Sequence, residues 1–169
     1  NLSRQLLAEG ALSASFVPVF SRVLADRGRK AAEGLARQAF TVLLAATGLA
    51  VLAGIVLSPL LVGIMAPGFD PVKTSLAVSL TRWMFPFLLF VSLAALAMGV
   101  LNSMGSFLVP ALAPALSNLV YIALVLLAAS SWGVWGLAAA VLAGGACQFA
   151  LQWGWTGKMG VSLLPAKPD

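Results

Sequence analysis

Two runs of the chain carry no formal charge: Gln38 to Phe69, and Trp83 to Gly157. The second alone has room for three passes through a hydrocarbon layer, at about 20 residues each. Such runs leave few places to fold other than a bilayer. A soluble domain has about a quarter of its residues charged. Here 9% of 169 residues are charged, 61% are hydrophobic, and the mean hydropathy is +1.02. A water-facing surface made from this chain would carry large apolar patches. Stretches such as "FLLFVSLAALAMGVL" do not alternate, which excludes a transmembrane barrel strand. Helices satisfy their own backbone groups in lipid. The expected fold class is therefore an all-α polytopic membrane protein.

Turn signals divide the runs. "NSMGS" (Asn102–Ser106) and "SSWGVWG" (Ser130–Gly136) separate the last three spans. The pattern predicts helices over about 39–65, 79–101, 107–129 and 135–156, with a more polar fifth over about 2–23. Between the first two lies a basic stretch, about 24–38, expected as a loop. The segment around it, "SRVLADRGRKAAEGLAR" (Ser21–Arg37), holds Arg22, Arg27, Arg29, Lys30 and Arg37 against Asp26 and Glu33. The excess of Lys and Arg places it on the cytoplasmic side. The tail bearing Lys158 and Lys167 returns to that side. Lys73 and Arg82 fall on the outer side as a mild exception. Trp83, Trp132, Trp135, Trp153 and Trp155 sit where interfacial anchors belong.

Pro86, Pro110 and Pro114 lie early in their spans, where a proline either kinks a helix or is tolerated near its start. "AGGA" (Ala143–Ala146) offers a smooth face for close helix packing. The confident spans hold only amides and hydroxyls at their centres. Asn118, Gln148 and Gln152 suit hydrogen bonds between helices, or substrate contact as the alternative. Arg4 and Glu9 differ. Five residues apart, they point about 140° from each other on a helix, so they are not a local ion pair. Either they snorkel from a helix end, or they pair with a neighbouring helix, or they line a wet cavity.

Catalysis finds no support in the residues. There is no histidine, no paired carboxylate arrangement, no phosphate loop and no metal-ligand spacing. No cofactor is implied, and the chain reads as not an enzyme. Cys147 is the single cysteine, so no intrachain disulfide forms. The net charge of +5 comes without any nucleic-acid motif, so no nucleic-acid partner is expected.

Four stretches carry a resemblance: "LLAEGALSASFVPVFSRVLA" (Leu6–Ala25), "APGFD" (Ala66–Asp70), "LTRWMFPFLLFVSLAALAMGVLNSMGSFLVPALAPALSNL" (Leu80–Leu119) and "GGACQFALQW" (Gly144–Trp153). In this order and spacing they resemble the MviN/MurJ family of the multidrug/oligosaccharidyl-lipid/polysaccharide exporter superfamily. The resemblance spans essentially the whole chain.

The resemblance implies a fourteen-helix, two-lobe fold, of which residues 1–169 are similar to helices two to six of the N-terminal lobe. The chain is then expected to be a fragment, its remaining helices lying elsewhere in the same transporter. The implied activity is transport of an undecaprenyl-diphosphate-linked peptidoglycan precursor, lipid II, across the bacterial inner membrane by alternating access. A different polyprenyl-linked glycan, or an inactive membrane scaffold, are the alternatives. The family cavity is cationic, and its second helix starts with two adjacent arginines and then a glutamate. Arg4 matches the first arginine, Gln5 stands where the second is expected, and Glu9 matches the glutamate. By that resemblance Arg4 and Gln5 are substrate-binding positions and Glu9 a gating one.

Overall fold

In a computed structural model the chain is described over residues 11–165, with backbone only for 11–15 and 128–131. The described residues form four helical elements: α1 (Ala11–Met65), α2 (Pro71–Met84), α3 (Pro86–Ser103) and α4 (Leu108–Lys158). Four stretches are long and apolar enough to cross a membrane: Phe16–Met65, Pro71–Ser103, Leu108–Leu127 and Trp132–Lys158. The protein is an all-α, multi-pass membrane protein.

Two of the elements fold back on themselves. In α1 the break is Gly28, at φ 77° and ψ −179°, a region open essentially to glycine alone. Phe16 and Val19 consequently lie alongside Ala39, Val42, Leu43 and Ala46. In α4 the break is Gly133, at φ 53° and ψ −133°, inside the expected "SSWGVWG" turn. The stretch about 24–38, expected as a loop, is helical apart from Gly28. Its Ala, Leu, Glu, Lys and Arg residues are strong helix formers. Glu33 and Arg37, spaced i,i+4, close a 2.8 Å ion pair along that helix.

Apolar association has little drive in lipid, so close packing carries helix contacts there. α3 supplies the closest surface, burying Leu93, Ala94, Ala95, Leu96, Ala97, Gly99, Val100 and Leu101. It packs against both α1 and α4. The core gathers Phe20, Ala32, Ala36 and Phe40 of α1, Leu93, Leu96, Ala97 and Val100 of α3, and Val161 and Leu163 of the tail. The small "AGGA" face is used as expected. A Cβ on Gly144 would stand 3.0 Å from the Ser117 carbonyl, and one on Gly145 2.8 Å from the Phe87 ring. The opposite surface is apolar and uncovered: Val42, Leu49, Leu52, Val56, Leu60 and Ile64 form an exposed helical stripe along α1. That inversion suits a solvent of acyl chains.

The break between α2 and α3 falls within the expected span of about 79–101. Phe85 keeps helical angles, φ −55° and ψ −40°, and its N–H donates to the Thr81 carbonyl at 3.1 Å. Pro86 has no N–H to continue the ladder. Pro86 therefore interrupts the hydrogen bonding of a helix whose backbone continues. Pro114 sits inside α4, and Pro18 and Pro59 sit inside α1.

Candidate functional site

Arg4, Gln5 and Glu9, the residues singled out for the headgroup and the gate, lie outside the described residues. What the structure does describe are two polar zones, one at each end of the bundle.

The first is the basic end. Arg22, Arg27, Arg29 and Lys30 are exposed around the Gly28 fold. The tail after α4 comes back onto this stretch. Gly160, at φ 78°, turns the chain, and the Val161 N–H donates to the Thr156 carbonyl at 3.0 Å, closing the helix C-terminus. Arg29 lies against that turn: a Cβ on Gly160 would be 2.9 Å from Arg29 Nη1. Ser162 N–H donates to Glu33 Oε1 at 3.3 Å, and Arg37 holds the same carboxylate oxygen at 2.8 Å. Trp153 Nε1 donates to the Leu163 carbonyl at 3.1 Å, and Lys158 Nζ stands 4.9 Å above the Trp155 ring. Phe40, Phe149 and Trp153 stack in sequence, 6.5 and 6.1 Å apart. An apolar groove of about 400 Å³ opens beside this end, lined by Phe16, Val19, Ala39, Val42, Leu43, Ala46 and Leu96.

The second zone surrounds the α1–α2 turn. Asp70 caps α2, accepting from Lys73 N–H at 2.9 Å, while its other oxygen meets Lys73 Nζ at 3.1 Å. The Lys73 backbone N–H, and then the Lys73 side chain, hold the Asp70 carboxyl below its ordinary pKa. Twelve residues after Asp70, Arg82 Nε donates to Ser58 Oγ at 2.9 Å and to the Ile55 carbonyl at 3.3 Å. Ser58 Oγ itself donates to that carbonyl at 2.9 Å, and Ser58 is fully buried. The reason lies in Pro59. An α-helical carbonyl at Ile55 would receive the N–H of residue 59, and proline has none. Ser58 and Arg82 supply the missing donors. Gly54 permits the approach of the two helices, since a Cβ there would overlap the Phe85 ring.

Sequence reasoning missed this clasp, treating Arg82 as an exception to the charge rule. The usable signal was Pro59 directly after Ser58 in a charge-free run, with an arginine four residues before Pro86. The membrane amides differ from their expectation too. Among the described residues Asn118, Gln148 and Gln152 make no hydrogen bond to another helix. Asn118 is exposed, and Gln152 is fully buried with neither amide atom paired. Among the described residues no group of three or more His, Cys, Asp or Glu could hold a metal ion.

The family model described as lipid II flippase MurJ matches residues 1–168. The lipid II flippase MurJ of Burkholderia cenocepacia is 40% identical over 156 residues, covering 90% of this chain and 30% of that protein. The probable lipid II flippase MurJ of Rhizobium tropici is 37% identical over 172 residues, covering 96% of the chain and 32% of its own length. That of Bdellovibrio bacteriovorus is 39% identical over 157 residues, covering 89% and 30%. The chain thus spans about a third of the length of the curated relatives it matches. With its charge-free helices, its basic end and a match from the first residue to residue 168, this chain belongs to the lipid II flippase MurJ family.

Proposed function

We propose that the protein carrying this chain moves lipid II, the lipid-linked peptidoglycan precursor, across the bacterial inner membrane for cell wall synthesis. The observation that supports this most is the family match over residues 1–168. The activity is transport by alternating access, with the two lobes of the family fold rocking against each other around a central cavity. The substrate and the other helices of the transporter are the chain's partners, together with the surrounding lipid.

The residues suit that cargo. A diphosphate has to pass a low-dielectric slab without losing compensation for its charge. Arg4 stays charged and offers two parallel hydrogen bonds to phosphate oxygens. Gln5 contributes amide donors but no charge, so Arg4 carries the electrostatic share at this place. Glu9 pairs with a cavity arginine in one state and releases it in the other, which makes it part of the gate. The basic stretch around Gly28 faces the cytoplasm, and the Met65–Pro71 turn faces outward, as the positive-inside rule requires.

The test is complementation of a flippase-depleted strain with the full-length gene product. Arg4→Ala should abolish growth at unchanged membrane levels, and Arg4→Lys should restore it in part. Gln5→Arg should support growth. Normal growth of Arg4→Ala would sink the substrate role. This chain alone in liposomes should not translocate lipid II, because a third of the protein cannot enclose a two-lobe cavity.

A further inference from the structure

Arg82 is an expensive residue to place in a membrane helix: insertion scales put arginine at about 2.5–3.5 kcal/mol at the helix centre. Its depth reduces that penalty. From Ser103 to Arg82 is 21 residues, about 32 Å of helix at 1.5 Å per residue. The hydrocarbon core is about 30 Å thick. With the Ser103 end at one interface, Arg82 reaches the opposite hydrocarbon boundary, where lipid phosphates lie. Trp83 and Trp135 mark the same level, their rings edge to face at 6.0 Å. The residues of α2 before Arg82 are polar enough to project beyond the core, with Lys73, Thr74, Ser75 and Ser79 among them.

The guanidinium is also oriented. Its Nε is committed to Ser58 Oγ and the Ile55 carbonyl. Among the described residues Nη1 and Nη2 have no partner, and Arg82 is exposed. Ser75 and Ser79 precede it at i−7 and i−3 on one helical face. They line a groove of about 480 Å³ with Pro71, Val72 and Leu76.

We propose that Arg82 is a binding site for the headgroup phosphate of a membrane phospholipid, in the leaflet on the Met65–Pro71 side. Ser58 and the Pro59-freed carbonyl hold Nε inward, so the two Nη groups present an end-on pair of donors outward. A phosphate accepts such a pair as two parallel charge-assisted hydrogen bonds. The headgroup beyond the phosphate lies along the Ser75–Ser79 groove. This site does not depend on what the protein transports.

The test uses the full-length gene product in nanodiscs of phosphatidylglycerol and phosphatidylcholine. A photoreactive benzophenone residue replaces Ser79, and the adducts are mapped by mass spectrometry. Phospholipid adducts carrying the headgroup are expected in the otherwise unaltered protein. Arg82→Gln keeps an N–H donor for the Ile55 carbonyl while removing the charge. It should lower the adduct yield about tenfold, the worth of a charge-assisted phosphate pair. Equal yields with and without Arg82→Gln overturn the proposal. So does an absence of phospholipid adducts in the first sample, whatever becomes of the Arg82 variant. Adducts formed only with added lipid II would assign the site to the transported substrate instead.

Discussion

Gln152 shows how differently a single polar residue is judged in lipid and in protein. It is fully buried beside Thr156, and neither amide atom has a partner among the described residues. An unpaired buried amide costs roughly 1–3 kcal/mol. Gln152→Leu, of similar volume, should therefore leave thermal stability in detergent unchanged or raise it by a few degrees. Gln152→Ala should lower it, by leaving a cavity where a fully buried side chain stood. A large loss with leucine would mean that the amide is bonded by another part of the full-length protein. Arg82 is the contrasting case. Its one committed nitrogen repairs a carbonyl that Pro59 orphaned, so a residue that breaks the charge rule completes the hydrogen-bond accounting of its neighbour.

At the scale of elements, helix ends and breaks decide the architecture. The start of α2 depends on Asp70, whose carboxylate is stabilised by the Lys73 backbone N–H and ammonium. Its folded pKa lies below the unfolded one. The cap's contribution is therefore fully present above the ordinary carboxylate range and is lost as pH falls through that range toward the lowered value. Asp70→Asn caps a helix without titrating. Unfolding of the variant, followed by circular dichroism at low salt, should lack the part of the acid sensitivity that the wild type shows. Identical pH profiles would remove Asp70 from the account. The breaks were less legible than the spans. Charge-free runs and the Asn102–Ser106 turn announced α3 and α4, because lipid leaves length and hydropathy few alternatives. The stretch 24–38 looked like a loop because charge was read as solvent exposure, whereas Glu33, Arg37 and their neighbours form helix equally well in an interfacial layer. Gly28 reverses that helix by itself, and periodicity gives no sign of a one-residue reversal.

At the scale of the whole molecule, the bundle is polar at its two ends and apolar around its waist. Orientation follows from which end is basic. With Cys147 replaced by alanine, a cysteine at Arg27 should react with a membrane-impermeant maleimide only after cells are permeabilised. One at Gly68, exposed in the α1–α2 turn, should react in intact cells whose outer barrier is opened. The reverse pattern would invert the proposed topology. The family could be read from four motifs. The headgroup and gate positions rest on matching Arg4, Gln5 and Glu9 to a motif, and they fall outside the described residues. The clasp at Arg82 needed coordinates, since residues 55, 58 and 82 become neighbours only when two proline-broken helices pack.

The contact between Glu33 and Ser162 joins positions 129 residues apart. A ribosome adds about 5–20 residues each second, so the two partners are made some 6–26 s apart. Through that interval the basic stretch around Gly28 has no tail upon it. Arg29 and Glu33 then stand open to lipid headgroups and to the insertion machinery, until the stretch after α4 is made and folds back onto them.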